Sequence, residues 1–155
     1  MSPTPPADLG PLGVLARYRR AMLDRSADDL ADLYAVDAVH EFPFLFPGMP
    51  ARLHGREEVR AGYRAAWDAS PALPGQILEV AVHPSTDPEV ITVEQTVTGT
   101  VAGTGQPFAF PGLLVMRVRG GALVQVRDYM DGLGVAQALG RLTTVAALLD
   151  GRRSR

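Results

Sequence analysis

The chain has 155 residues, 46% of them hydrophobic, which suffices for one domain with a substantial core. Its formal net charge is -2, and its 15 basic and 17 acidic side chains are scattered, so no basic stripe could follow a nucleic-acid backbone. No apolar run is long enough to cross a bilayer and the first residues lack a secretory pattern, so we expect a cytoplasmic protein that binds neither nucleic acid nor membrane.

Helices are predicted at the start of the chain. After Pro11, apolar residues at helical spacing predict a first helix that ends near Arg25. Ser26 is a typical N-cap with an acidic residue three positions later, and the pattern predicts a second helix that continues to Tyr34. An aromatic, proline-punctuated strand and loop begin at His40. A third helix is predicted from Gly55, with acidic residues in its first turn.

A sheet is predicted in the second half of the chain. From residue 78 onward the pattern alternates, which predicts strands over residues 78–82, 90–101, 108–119 and 123–130. Glycines at 103, 105, 120 and 121 predict turns that join them as antiparallel hairpins. Residues 133–149 can form a terminal helix, weakened by Gly134 and Gly140.

These elements predict an α+β fold with three N-terminal helices packed on a curved antiparallel sheet, followed by a C-terminal helical segment. We expect residues 1–11 to be a flexible segment, residues 12–150 to form a single domain, and residues 151–155 to be a frayed tail.

The last predicted strand carries a carboxylate on an apolar face. Counting by twos, Val124, Val126, Asp128 and Met130 share one face, which we expect to be interior. A carboxylate there either finds partners, keeps its proton or lines a cavity where chemistry uses it. The structural alternative is an ion pair with Arg127 or another arginine, or a cap for the last helix.

Missing residue types exclude several kinds of chemistry. The chain has no cysteine and no lysine, which excludes thiolate nucleophiles, Schiff bases and lysine-bound cofactors. Its histidines, His40, His54 and His83, lack the spacing of metal ligands. We expect neither a metal nor a cofactor, and the remaining side chains suit acid–base chemistry.

Three further polar residues are candidates for a site around Asp128. His40 alternates with Phe42 and should face the same interior, where it could exchange protons or be a hydrogen-bonded wall residue. Gln95 could orient a carbonyl or water, or lie at the sheet edge, and Tyr18 could donate to a substrate oxygen or be a core tyrosine.

Large apolar side chains surround these polar groups and predict a pocket for a hydrophobic ligand with a few oxygens. Those we assign to substrate binding beside Gln95 are Phe42, Met22, Trp67, Leu114, Met116 and Met130. The apolar loop over residues 44–50 could be a lid or a dimer contact, and core packing is the alternative for the others.

The order of elements resembles the NTF2-like superfamily, the cone-shaped fold shared by ketosteroid isomerases, SnoaL-type polyketide cyclases and limonene-type epoxide hydrolases. The segments that carry the resemblance are residues 16–18, 33–40, 53–58 and 126–131. The resemblance implies a homodimer formed through the outer face of the sheet. Because one fold hosts many activities, function must be argued from the site.

Position by position, the resemblance gives a mixed result. Tyr18 matches the tyrosine with which ketosteroid isomerases stabilise an enolate, but Phe42 and Leu114 match that family's two aspartates. Asp128 matches the catalytic base of the epoxide hydrolases, whose other two triad positions correspond to Gln95 and Val97. Asp128 also matches the acid–base aspartate of the SnoaL-type cyclases, although the histidine those enzymes usually carry near Leu114 is absent.

The sequence therefore predicts a cofactor-independent enzyme of SnoaL-like type, a cyclase, isomerase or lyase of secondary metabolism such as antibiotic biosynthesis. Its substrate would be a hydrophobic, carbonyl-bearing, polyketide-like intermediate, and Asp128, Tyr18 and His40 would be the catalytic residues. The alternatives are a limonene-type epoxide hydrolase and a non-catalytic module that binds a hydrophobic ligand or forms a dimer.

Overall fold

The structure is a computed structural model that describes residues 9–44 and 48–153. The described helices are α1 (Pro11–Asp24), α2 (Ala27–Ala31), α3 (Gly55–Ala69), α4 (Gly132–Ala138) and α5 (Leu142–Arg153). The described strands are β1 (Tyr34–Glu41), β2 (Arg52–His54), β3 (Ala72–Pro84), β4 (Val90–Val101), β5 (Pro107–Arg119) and β6 (Ala122–Met130).

The strands form one six-stranded sheet in the order β2-β1-β6-β5-β4-β3. Strands β3 to β6 are a meander of antiparallel neighbours, as the glycine turns predicted. Strand β1 pairs parallel to β6, so the prediction of a wholly antiparallel sheet is wrong. A parallel pair requires a long connection between its strands, and β2, α3 and strands β3 to β5 supply it here.

The core lies between the helices and one face of the curved sheet. Helix α1 buries Val14, Leu15, Tyr18 and Ala21, whose spacing puts them on one side of the helix. Helix α3 buries Val59 and Tyr63 in the same way. On β5, the even-numbered residues from Leu114 to Val118 are buried, so the even positions of this strand face the core.

The predicted helices are confirmed in part. Helix α1 has the predicted bounds, and the Ser26 hydroxyl accepts a 3.2 Å hydrogen bond from the Asp29 N–H, as expected of an N-cap. The continuation of the second helix to Tyr34 is wrong, because Tyr34 begins β1 and pairs with Leu123. The three helices are also not a contiguous block, since β1 and β2 precede α3.

The predicted strands are confirmed over β4, β5 and β6, whereas β3 begins at Ala72 and the short strand β2 was not predicted. Gly140, with a φ of 68°, separates the predicted terminal helix into α4 and α5. Helix α5 reaches Arg153, so the tail predicted from residue 151 is helical at its start. Residues 1–8 of the predicted flexible segment, 45–47 of the predicted loop and 154–155 of the tail lie outside the described residues.

Across residues 9–44 and 48–153, none of the helices combines the length and the apolar character needed to traverse a bilayer.

Candidate functional site

Asp128 lies on the inner face of β6, but the alternation that predicts this is interrupted. Leu123 is opposite Val118 and Gln125 is opposite Arg117, so Val124 is an extra residue in a β-bulge. Val124 and Gln125 both line a shallow cavity of about 300 Å³ on the outer face of the sheet. The prediction that Val124 faces inward is therefore wrong. Beyond the bulge Val126 is buried, and Asp128 is opposite the buried Leu114 with 16% of its side chain exposed.

Strand β1 contains a larger irregularity, which assembles the interior polar groups. Tyr34 is opposite Leu123, and Val39 is opposite Gln125. Between these two pairs the chain moves five positions along β1 but only two along β6. The segment between these pairs bulges out of the ladder. The Tyr34 carbonyl accepts a 2.7 Å hydrogen bond from Arg56 Nε instead. As a result Tyr34 and His40, six residues apart, come into direct contact.

His40 is fully buried at the centre of a group of hydroxyl and carboxyl side chains. Its Nδ1 lies 2.8 Å from the Tyr34 hydroxyl, and its Nε2 lies 3.2 Å from the Tyr63 hydroxyl and 3.8 Å from Asp128 Oδ2. A carboxylate can only accept hydrogen bonds, so the arrangement favours a proton on Nε2, with Nδ1 accepting from Tyr34. The rings of Phe42 and Tyr63 pack on His40 with centroid distances of 4.7 and 5.4 Å.

Tyr18 on α1 adds a buried hydroxyl next to those of Tyr34 and Tyr63, which both influence its pKa through hydrogen bonding. The side chain is 1% exposed, and among the described residues none forms a hydrogen bond of good geometry with its hydroxyl oxygen. Burial, and secondarily the charge of Asp128, raises the pKa of Tyr18 far above the ordinary value. Burial also raises the pKa of Tyr34 and of Tyr63, so all three phenols stay neutral at physiological pH and can donate hydrogen bonds.

Gln95 lies buried on the inner face of β4, and its side chain has a partner. Its Oε1 accepts a 2.9 Å hydrogen bond from Arg19 Nε, and Arg19 Nη1 donates to Glu79 at 2.7 Å. The third guanidinium nitrogen of Arg19, Nη2, is buried and has no acceptor among the described residues. The Arg19 contact fixes which way the Gln95 amide points, because only its oxygen can face the guanidinium.

Gly112 places no side chain on the inner face of the sheet between Gln95 and Asp128. It is directly opposite Gln95 on β4 and Met130 on β6, so all three share the inner face. A Cβ atom at Gly112 would have only one described neighbour within 4 Å, the Tyr129 carbonyl oxygen at 3.8 Å. Beyond the two adjacent residues of the chain, the volume within 4 Å of that Cβ position is otherwise free of described atoms, so there is room for a side-chain-sized group over Gly112. Gln95 is about 5 Å away on one side and Asp128 is diagonally about 7–8 Å away.

The predicted apolar residues differ in their access to this space. Leu114 and Phe42 are buried in the core, and Met116 has no exposed surface at all, so it can only support a pocket wall from behind. Met22, Trp67 and Met130 are partly buried and pack against that core. In the predicted loop, Phe44 is 60% exposed and packs edge-on against Tyr129.

The structure thus brings together the three residues predicted to be catalytic, Asp128, His40 and Tyr18, while Gln95 lies two strands away from Asp128. Four residues that the prediction did not use also belong here: Tyr34, Tyr63, Arg19 and Gly112. Two carried a usable signal. Tyr63 lies at the helical spacing that predicts the inner face of α3, and Gly112 is a glycine on the apolar face of a strand.

Within the described ranges, no three His, Cys, Asp or Glu side chains are grouped so as to hold a metal ion.

Comparison with known proteins gives a consistent family match. Residues 15–126 match the protein family described as SnoaL-like domain. The chain is 29% identical over 131 residues to YesE of Bacillus subtilis, a protein described as uncharacterized, with 81% of this chain and 84% of YesE covered.

Three solved structures have a similar fold. A "Putative Isomerase" from Bacillus subtilis superposes with a TM-score of 0.74 at 26% identity, covering 83% of this chain and 91% of that protein. A protein with ketosteroid isomerase-like fold from Catenulispora acidiphila, in complex with trimethylamine, gives 0.67 at 22% identity and covers 85% and 95%. RV0760c from Mycobacterium tuberculosis, in complex with estradiol-17beta-hemisuccinate, gives 0.62 at 20% identity and covers 78% and 94%.

Proposed function

The chain belongs to the SnoaL-like domain family, within the NTF2-like superfamily, and from this premise we propose that it is a cofactor-independent enzyme that moves protons on its substrate. The substrate is a hydrophobic, carbonyl-bearing, polyketide-like intermediate, and the reaction is a cyclisation, an isomerisation or a dehydration. All three begin by removing a proton from a carbon next to a carbonyl or by adding one there, so one acid–base site could serve any of them.

The observation that carries this proposal is the environment of Asp128. Its carboxylate is partly covered, it lies diagonally across from Gly112 on the inner face, and its other neighbours are the aromatic group around His40. A carboxylate that is part of a mostly apolar interior and still accessible can meet a substrate carbon and exchange a proton with it.

In the mechanism we infer, Asp128 accepts the proton from the carbon next to the substrate carbonyl. The electron pair of the broken C–H bond moves toward the carbonyl oxygen, which becomes an enolate, and Asp128 then returns the proton to carbon. The Tyr18 hydroxyl donates a hydrogen bond to the developing negative charge, since its raised pKa keeps it protonated. This hydroxyl is closed off from water, so neighbouring side chains must shift when the substrate binds.

His40 acts behind Asp128 in this mechanism. It has no exposed surface, so it does not touch a substrate in the described arrangement, but its Nε2 faces Asp128 Oδ2 at 3.8 Å. A proton on Nε2 stabilises the carboxylate and restricts its orientation. The partners Tyr34 and Tyr63 hold the imidazole ring in place.

The ligands of two structural neighbours agree with a site for small molecules, since one neighbour binds estradiol-17beta-hemisuccinate and another binds trimethylamine. We also propose that the protein acts in the cytoplasm as a homodimer formed through the outer face of the sheet. Light scattering of the purified chain tests the dimer directly, because a monomeric mass at micromolar concentration would contradict it.

The proposal can be tested by hydrogen exchange on a model ketone. In D2O, the protein should accelerate the exchange of the hydrogens beside the carbonyl of β-tetralone, a bicyclic ketone, followed by NMR. Asp128→Asn should lower that rate about a hundredfold or more while leaving the fold intact. Asp37→Asn is the matched control, because Asp37 is an exposed carboxylate on β1.

An unchanged rate in Asp128→Asn would remove this residue from the mechanism. If the wild-type protein binds the ketone and returns it without exchange, the chain is instead a binding protein for hydrophobic ligands.

A further inference from the structure

We propose that Arg19 and Gln95 form a binding site for a carboxylate group of the ligand, at the end of the open space opposite Asp128. The inference rests on the proposed function only in calling this ligand a substrate. It adds the chemical class of that substrate, a ring system that carries an acid group distant from the carbon that reacts.

The first observation is a pair of adjacent hydrogen-bond donors. Arg19 uses Nε for Gln95 and Nη1 for Glu79, and Nη2, next to Nε on the guanidinium, has no acceptor among the described residues. The Gln95 oxygen faces Arg19, so its amide NH2 group points elsewhere, and no described residue accepts from it. Two donors without an acceptor between them suit a group that only accepts, such as a carboxylate.

The second observation is room for a ligand group beside Gln95. Gln95 and Gly112 are directly opposite each other on the inner face, and the Gly112 position is empty of side-chain atoms. Gly112 has no unusual φ that would explain a glycine there. A ligand that lies over Gly112 would reach the Gln95 amide at one end and Asp128 at the other.

The separation of the two ends sets the size of the ligand. Gln95 and Asp128 are two strands apart and offset by two residues, which corresponds to roughly 12 Å between their Cα atoms. Side chains on one face of a sheet stand roughly perpendicular to it, so the two ends remain at about this separation and a fused two- or three-ring molecule spans the gap. The acid group would therefore be a handle for binding, while the carbon that loses its proton lies near Asp128.

The charge of Arg19 is only partly compensated. Glu79 binds Nη1, but its side chain is 53% exposed, so water and salt screen its effect inside the site. The guanidinium is 19% exposed and its free nitrogen is shielded from water. An unpaired donor in such a place is unfavourable, and a carboxylate that reaches Nη2, once the side chains covering it have shifted, would relieve that cost.

The test compares two probes that differ only in charge at one end: a hydroxynaphthoate, with its hydroxyl and carboxylate at opposite ends of the ring system, and the corresponding hydroxynaphthamide. Calorimetric titration of the wild-type chain should give a Kd for the carboxylate about tenfold or more below that for the amide. In Arg19→Gln this preference should disappear while the amide still binds.

Three further variants define the site. Arg20→Gln removes an exposed arginine from the same helix and should keep the preference. Glu79→Gln removes the competing carboxylate and should enlarge it. Gly112→Val fills the open space and should weaken both probes about tenfold or more, with circular dichroism used to confirm that the chain is folded.

Equal affinities of the wild-type chain for the two probes, or no binding of either, would overturn the inference. An unchanged preference in Arg19→Gln would do so as well. The proposed function fails separately, because Asp128→Asn should lower the rate of proton exchange about a hundredfold or more and leave the preference for the carboxylate in place. Loss of exchange activity with a retained preference, or the converse, therefore tells the two apart.

Discussion

The hydroxyl of Tyr34 lies 2.8 Å from Nδ1 of His40, although the two residues begin and nearly end the same strand. A regular strand would hold them about 20 Å apart. The contact exists because the middle of β1 bulges out of its pairing with β6. A backbone irregularity thus brings to Nδ1 of His40 the hydroxyl that favours a proton on Nε2, the nitrogen that faces Asp128.

We expect Tyr34→Phe to weaken both the fold and this proton arrangement. The substitution leaves Nδ1 of a fully buried histidine without its donor, which should lower the free energy of unfolding by about 1–3 kcal/mol. The imidazole should then populate both tautomers. Urea denaturation measures the first effect, and the NMR shifts of the His40 ring nitrogens measure the second.

Tyr129→Phe is the control for this substitution, because it removes a hydroxyl from a partly exposed tyrosine that packs against Phe44. We expect it to change stability by less than about 0.5 kcal/mol. If the His40 shifts are the same in Tyr34→Phe and in the wild-type chain, the role assigned to Tyr34 is wrong.

The buried phenols predict that the protein loses stability in alkali. Burial raises the pKa of Tyr18, Tyr34 and Tyr63, so the folded state holds these protons more tightly than the unfolded state does. Their contribution is fully present below the unfolded pKa of about 10 and is lost as pH rises above it. Urea midpoints measured between about pH 8 and pH 11 should therefore decline in the upper part of that range.

Tyr63→Phe removes one of the three groups and should make this decline less steep. The absorbance of tyrosinate, recorded in the same samples, should rise together with unfolding. Stability that stays constant through the titration of the unfolded phenols would contradict the burial of these hydroxyls.

Substitution by alanine should affect stability differently at two glycines of the inner face, Gly99 and Gly112. A Cβ at Gly99 would overlap the Leu73 carbonyl oxygen and lie 2.7 Å from the Phe108 ring, so Gly99→Ala should destabilise the chain by about 2 kcal/mol or more. Gly112→Ala places its Cβ in ordinary contact distance and should cost nothing, or add about 0.5 kcal/mol by restricting the unfolded chain.

Thermal unfolding of the two variants side by side tests this contrast. If Gly112→Ala were as damaging as Gly99→Ala, the space over Gly112 would be filled rather than open, and the site built on it would fail.

The sequence predicts correctly whether a residue faces the interior where that follows from the alternation of its own strand. The inward positions of His40, Phe42 and Asp128 follow from counting by twos, and the structure agrees. The alternation is interrupted at Val124 by the bulge. The sequence could not predict this, because nothing in the neighbouring residues marks the bulge. Tyr34 continues the helical spacing of Leu30 and was assigned to a helix, and only its pairing with Leu123, far along the chain, decides otherwise.

The same limit explains why Arg19 was missed. On a helix surface an arginine is ordinarily solvated, and its two partners lie 60 and 76 residues away in sequence. Gly112 was available from the sequence as a gap on an apolar face, but a gap becomes informative only when the neighbours across it are known.

The parallel pairing of β1 with β6 also governs how the molecule is made. The ribosome delivers the first strand early and the last strand only after most of the chain has emerged. Until then the aromatic residues of β1 lack their neighbour, and contacts so distant along the chain form slowly. The strand that buries His40 and its tyrosines is thus also the strand that carries Asp128, so burial of the aromatic group and assembly of the site are expected in the same folding step.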